Sequence, residues 1–125
     1  PYAKVEMFEL KAEAFSAGAE IRAKIKEGDR LLDFLKKRLG ARIILLSESV
    51  HLMDSPQFAK FLEKEDRQVI FVIAGALGFS PEALEKGYER VSLSPLTFTH
   101  EMARVILLEQ LYRAATILKG KKYHY

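Results

Sequence analysis

The chain contains no cysteine and only three histidines among its 125 residues. The absence of cysteine excludes disulfides, thiolate nucleophiles and cysteine-based zinc sites. Three histidines are too few for a histidine-rich metal site, and we expect no metal. No apolar run approaches the ~20 residues of a membrane span, and no signal-peptide pattern opens the sequence. We therefore expect a cytoplasmic protein without a membrane partner.

Length and composition indicate one ordinary globular domain over residues 1–125. Hydrophobic residues make up 49% of the chain and charged residues 30%, as in typical soluble domains. The net charge of +3 is only mildly basic. Such a charge does not by itself indicate a nucleic-acid-binding protein.

Apolar periodicity and helix-start signals predict four strands that alternate with four helices. The strands are expected at 4–10, 42–46, 68–75 and 89–94, and the helices at 20–39, 54–64, 80–87 and from Thr99 or His100 onwards. This order predicts an α/β fold with a mainly parallel sheet and helices on both faces. Ligands of such sheets bind beyond the carboxyl ends of the strands. Three loops follow strand ends: "LLSESVH", "IAGALGFS" and "SLSPLTFTH".

The second loop contains Gly75 and Gly78 between a strand and a helix start. Glycines at such a place let the backbone approach a ligand closely. The spacing is neither a P-loop nor a dinucleotide-binding G-x-G-x-x-G pattern. A ligand-binding loop and a simple tight turn both remain open.

The third loop is unusually apolar for a connection between a strand and a helix. Its leucines, proline and phenylalanine could be buried as a connector, or they could line a slot for a flat, partly apolar ligand. In the second case Ser94 and Thr97 would supply small polar contacts.

The last helix is apolar on almost every side, which predicts burial and, in a domain this small, contact with another subunit. Glu109 and Arg113 are spaced for a local ion pair, although a guanidinium also suits a phosphate or carboxylate clamp. The tail "KGKKYHY" could hold phosphates, stack on bases or exchange protons. It could equally be a solvated end.

The segments "IAGALGFS", "SLSPLTFTHEMARVILLEQLYRA" and the terminal "YHY" resemble the knotted SPOUT methyltransferases, specifically the large-subunit rRNA pseudouridine N3-methyltransferase family. That family has an Ile-Gly-Gly-Pro-x-Gly loop, a Ser-Leu-Ser-x-(Leu/Met)-Thr loop and a Tyr-His end. The resemblance is dense from about Leu45 to Tyr125 and thinner from Lys4 to Gly40.

The resemblance implies a C-terminal trefoil knot, S-adenosylmethionine as cofactor and a homodimer with its site across the interface. The reaction it implies is methyl transfer to N3 of a pseudouridine in 23S rRNA of the large ribosomal subunit or whole ribosome. Carried over by position, the implied cofactor contacts are Leu46, Gly75, Leu93, Ser94, Pro95, Leu96, Thr97 and Phe98. The third loop would be apolar because it encloses the adenine.

The same resemblance implies roles for the last helix and the tail. N3 carries a proton that must leave before it can attack, so we expect His124 as the base and Arg113 as the stabiliser of the developing anion. The implied RNA-binding residues are Lys119, Lys121, Lys122 and Tyr123.

The sequence departs from the family pattern in three places. Ala74 and Ala76 replace a glycine and a proline of the second loop, and Ser47 to Val50 lack the Asp and Gly of the first. An upstream strand and helix of the family are expected to be absent. A non-catalytic RNA- or ribosome-binding relative is therefore one alternative. A doubly wound nucleotide-binding domain is a remoter one, disfavoured because the chain lacks a P-loop lysine.

Overall fold

The computed structural model describes residues 6–10, 13, 16–47, 52–63, 65–94, 96 and 98–119. Three strands alternate with four helices along these residues. The elements are α1 Glu20–Lys36, β1 Arg42–Leu46, α2 Ser55–Leu62, β2 Val69–Val72, α3 Pro81–Glu85, β3 Glu89–Val91 and α4 His100–Leu118.

The strands form one parallel sheet in the order β2-β1-β3. Ile44 in the middle of β1 pairs with Phe71 on one side and with Glu89 on the other. Ile44 and Leu45 are both 0% exposed, as expected for a central strand covered on both faces. The predicted parallel α/β architecture is confirmed.

Side chains alternate between two apolar layers, because successive residues of a strand point to opposite faces. Phe71 and Ile73 pack with α2 and α4, around Phe58 and Leu107. Ile70 and Val72 face the other way, into the layer that holds α1 and α3. The helices therefore cover both faces of the sheet, as predicted.

Three helices begin at side-chain caps that the sequence indicates. The carboxylate of Asp54 accepts a hydrogen bond from the backbone N–H of Gln57, whose side-chain oxygen in turn accepts from the backbone N–H of Asp54. Ser80 caps α3 and Thr99 caps α4 in the same way, with their hydroxyl oxygens as acceptors.

The first predicted strand is wrong over the residues that the structure describes, because residues 6–10 form no strand. A strand requires a hydrogen-bonding neighbour, and this segment contacts helices instead. The ring of Phe8 lies 5.4 Å from the ring of Phe34 in α1. Glu9 pairs with an arginine of α4 at 3.2 Å. Its apolar residues therefore contribute to helix contacts and not to a fourth strand.

β1 has its predicted bounds, whereas several other elements are shorter than predicted. The first helix ends at Lys36, three residues before Leu39, and a turn leads from there to Gly40 with φ +94°. β2 and β3 also end early, since pairing with β1 covers only four and three residues. The residues beyond these ends still favour a strand, but the ladders with β1 do not extend to them.

A bidentate ion pair ties the beginnings of β1 and β3 together. Arg42 Nε lies 2.7 Å from Glu89 Oε2, and the same guanidinium lies 4.1 Å from the ring centroid of Phe61. The hydrogen bond from Arg42 lowers the pKa of Glu89 and raises that of Arg42. This pair lies at the amino edge of the sheet, away from the loops expected to bind ligand.

Gly28 lies buried in α1, although glycine in a helix interior normally weakens the helix. A Cβ added to Gly28 would lie 2.6 Å from Cβ of Ser80 and closer still to its hydroxyl oxygen. The missing side chain is what allows α1 to pack directly on the cap of α3. Helix α1 is thereby held against the loop that follows β2.

Candidate functional site

The first and third loops run side by side at the carboxyl edge of the sheet. The backbone N–H of Ser47 donates to the carbonyl of Val91 at 2.9 Å, and Leu52 forms an isolated bridge with Ser92. Leu46 is half-buried and packs with the layer of α2 and α4. Residues 48–51 between them lie outside the described residues.

The second loop contains a tight turn. The N–H of Gly78 donates to the carbonyl of Gly75 at 3.0 Å, and Gly78 has φ +79°, a left-handed conformation that favours glycine. Gly75 itself is exposed at this edge of the sheet. The second loop therefore forms the tight turn that was one of the two alternatives. The ligand-binding role of Gly75 stays a prediction.

The third loop combines a half-buried, packed leucine with an exposed one. Leu93 packs against the apolar layer formed by α2 and α4, whereas Leu96 is 68% exposed. Ser94 shapes the loop, since its carbonyl accepts from the Ser92 hydroxyl and its own hydroxyl accepts from the N–H of Leu96. Phe98 is half-buried. Pro95 and Thr97 lie outside the described residues.

The buried-connector alternative thus applies to Leu93, while Leu96 presents apolar surface at the loop's tip. A side chain with this exposure adds little to the core and is accessible to a ligand. The ligand-slot alternative remains available to the outer half of the loop.

Arg113 is engaged on its own helix. Its Nε lies 3.1 Å from Oε1 of Glu109, which confirms the predicted local ion pair. The carboxylate fixes the direction of the guanidinium. The clamp role of Arg113 stays a prediction.

The predicted RNA-binding tail falls almost entirely outside the described residues. Lys119 is the exposed C-cap residue of α4. Lys121, Lys122, Tyr123 and His124 are not described.

Glu27 is a carboxylate near the candidate loops that sequence reasoning missed. One of its oxygens, Oε2, accepts the backbone N–H of Glu13 at 2.9 Å. The other, Oε1, lies 3.2 Å from the position a Cβ of Gly75 would occupy. The available signal was its place beside Gly28, the residue at which α1 meets the second loop.

Within the described ranges, no helix has the length and apolarity needed to cross a membrane. No cluster of three or more histidine, aspartate or glutamate side chains in the same ranges has a metal-binding arrangement.

Comparison with known proteins places this sequence in a family. A family profile described as "Predicted SPOUT methyltransferase" matches residues 1–124. A protein of Geotalea daltonii named ribosomal RNA large subunit methyltransferase H is 41% identical, over 99% of this chain and 81% of its own length.

Proteins of the same name show comparable similarity in two more organisms. The relative from Kosmotoga olearia is 40% identical over all of this chain and 82% of its own length. The relative from Thermodesulfovibrio yellowstonii is 42% identical, also over all of this chain and 80% of its own length. These matches favour a methyltransferase over the nucleotide-binding alternative. The chain belongs to the SPOUT methyltransferase family, and within it to the group of ribosomal RNA large subunit methyltransferase H proteins.

Proposed function

We propose that this chain is an S-adenosylmethionine-dependent methyltransferase that modifies N3 of a pseudouridine in 23S rRNA of the large ribosomal subunit. The observation that carries the proposal is the near full-length similarity to relatives named for large-subunit rRNA methylation. The arrangement of the strand ends supports it, because the three loops with the implied cofactor contacts follow three adjacent parallel strands. The substrate in turn argues for a cytoplasmic location. The trefoil knot and the use of the whole ribosome remain predictions.

The described residues fit the proposed cofactor. Gly75 has no Cβ, which leaves its backbone open at the carboxyl edge beside a carboxylate. The exposed side chain of Leu96 and the half-buried ring of Phe98 offer apolar surface of the kind an adenine packs against. Leu46 and Leu93 would support that surface from the apolar layer beneath it.

When bound, the cofactor supplies an electrophilic methyl group on a sulfonium. The protein must remove the N3 proton and hold the base in line with that methyl group. His124 is the proposed proton acceptor. Arg113, oriented by Glu109, is the proposed stabiliser of the negative charge that develops on the base. Lys119, Lys121, Lys122 and Tyr123 would contact the rRNA.

The homodimer is supported by an apolar stripe on α4 that the rest of the described chain leaves exposed. Its members recur every three or four residues, and each is at least 38% exposed: Met102, Val105, Leu108 and Tyr112. An apolar helix face of this kind marks a protein contact. A second copy of the chain is the proposed occupant, which would bring residues of two α4 helices together.

Calorimetric titration with S-adenosylmethionine and S-adenosylhomocysteine tests the cofactor part of the proposal. We expect saturable binding at one site per chain. Gly75→Val should abolish it, because the added side chain would press against the carboxylate of Glu27 and cover the backbone that the glycine leaves accessible. Far-UV circular dichroism and sedimentation confirm that the variant keeps its fold and assembly.

Failure of the folded wild-type dimer to bind either compound would favour the non-catalytic RNA-binding relative. Ser47, Ala74 and Ala76, which depart from the family pattern, would then be the first residues to suspect.

A further inference from the structure

Glu27 is held at the second loop from two directions. Gly28, the next residue, packs α1 on Ser80 at the end of this loop. Oε2 of Glu27 accepts the backbone N–H of Glu13. The remaining oxygen, Oε1, faces the Gly75 turn. The direction of this carboxylate is therefore set by helix packing and a backbone hydrogen bond.

Among the residues that the structure describes, no cation forms an ion pair with Glu27, although α1 contains several lysines and arginines. Lys26 and Arg30 pair with Glu13 instead. A half-buried carboxylate loses part of its hydration, and a cation or strong donor normally compensates for that loss. Oε1 thus has the chemistry and the direction to receive a cationic N–H group from a ligand at the Gly75 turn.

The order of the strands indicates which part of the proposed cofactor reaches this point. The third loop follows β3 and the second follows β2, with β1 between them. Two strand spacings separate these loops by about 10 Å. With the adenine against the third loop, the part of S-adenosylmethionine near Gly75 is the methionine end, which carries an α-ammonium group.

We infer that Glu27 binds the α-ammonium group of the cofactor's methionine end through Oε1. The inference depends on the proposed function. An ammonium group has three N–H donors that suit a carboxylate, whereas a sulfonium has none and must face the RNA base. Glu27 is thus a cofactor-binding residue on an element that the sequence patterns did not connect with the site.

The test compares three ligands on the wild-type dimer and on Glu27→Gln. The ligands are S-adenosylmethionine, S-adenosylhomocysteine, which lacks the sulfonium charge, and 5′-methylthioadenosine, which lacks the amino-acid end. Glutamine keeps an oxygen that can accept the N–H of Glu13, so the substitution removes charge and preserves the structural hydrogen bond. Asp33→Asn, at an exposed position of α1, is the control for loss of one negative charge from this helix.

We expect Glu27→Gln to weaken both amino-acid-containing ligands by about tenfold or more, because hydrogen bonds between charged groups are among the strongest. Binding of 5′-methylthioadenosine should not change, and Asp33→Asn should affect none of the three. Glu27→Asp, which keeps the charge, should bind S-adenosylhomocysteine more tightly than Glu27→Gln.

Each other result overturns the inference. Unchanged affinity for S-adenosylmethionine would show that Glu27 meets no charged group. Equal weakening of all three ligands would indicate a distorted site. Weakening of S-adenosylmethionine alone would assign the carboxylate to the sulfonium. If the wild-type dimer bound none of the three, the proposed function would fail together with the inference, and this result would be seen before any variant was made.

Discussion

Replacing Gly28 with alanine should destabilise the protein, although the same change stabilises most helices. In an exposed helix interior, Gly→Ala increases stability by about 1 kcal/mol. At this position the new methyl group would lie 2.6 Å from Cβ of Ser80, a distance that real Cβ atoms essentially never show. Ser80 is only 3% exposed, so its side chain has little room to move away.

The magnitude follows from three contributions. Overpacking of a well-packed contact costs about 1–3 kcal/mol. Rotating the hydroxyl of Ser80 away breaks its hydrogen bond with the N–H of Ala83, the cap of α3, at a further cost of about 1 kcal/mol. The gain in helix propensity offsets about 1 kcal/mol. We expect the free energy of unfolding to fall by about 1–3 kcal/mol.

Urea denaturation followed by circular dichroism measures this change, with the protein concentration held constant because the proposed self-association would contribute to apparent stability. Gly28→Ala combined with Ser80→Gly is the matched control. The second change removes the colliding side chain, and glycine is a tolerable cap. The double variant should therefore be more stable than Gly28→Ala alone. An increase in stability on Gly28→Ala alone would refute the packing of α1 on α3, and with it the placement of Glu27.

Three further predictions concern the ion pair, the dimer and the third loop. The pKa of Glu89 is lowered by its hydrogen bond from the arginine at the start of β1, so the stabilisation is present at neutral pH and is lost as pH falls below the ordinary carboxyl range and through that lowered pKa. Glu89→Gln should therefore lower the free energy of unfolding by at most about 1 kcal/mol at pH 7, since the side chain is 44% exposed, and by progressively less in acid. Urea titrations that show the same loss in acid as at pH 7 would contradict this. Val105→Glu should shift sedimentation towards monomer at micromolar concentration. Ile21→Glu, at an apolar residue of α1 that is also exposed, should not. A dimer that persists in Val105→Glu would show that the α4 stripe is not the dimer contact. Leu96→Ala should weaken cofactor binding in calorimetry at unchanged stability, while Leu93→Ala, at a half-buried side chain, should lower the free energy of unfolding by about 1–2 kcal/mol; equal losses of stability for the two variants would contradict their different burial.

The features predicted most accurately from the sequence are those set by local chemistry. Asp54, Ser80 and Thr99 cap helices because their side-chain oxygens reach backbone N–H groups within one turn, and the sequence predicts the start of each of these helices to within one residue. The short apolar run of β1 likewise predicts a strand covered on both faces.

The features predicted poorly depend on distant partners. Residues 6–10 have strand-like apolar content, but no sheet edge pairs with them and they pack on helices instead. Gly28 looks like a weak point until Ser80 is placed against it. Glu27 resembles any other charged residue of a helix, and only the approach of α1 to Gly75 distinguishes it.

The candidate site shows the same division. Leu93 and Leu96 are similar residues in one short motif, yet one is packed and the other is 68% exposed. The sequence spacing placed both leucines in the same loop. It could not show which of them packs on the apolar layer and which is accessible to a ligand. The motif resemblance identified the loop. Only the fold shows which of its leucines packs on the apolar layer and which is exposed.

Methyl transfer to ribosomes that lack the modification tests the central claim most directly. Purified protein would be incubated with such ribosomes and S-adenosylmethionine carrying an isotopically labelled methyl group, and the 23S rRNA would then be digested and analysed by mass spectrometry. The account predicts one labelled methyl group on N3 of a pseudouridine. Ribosome binding without any labelled nucleoside would contradict it and identify the chain as a non-catalytic member of its family.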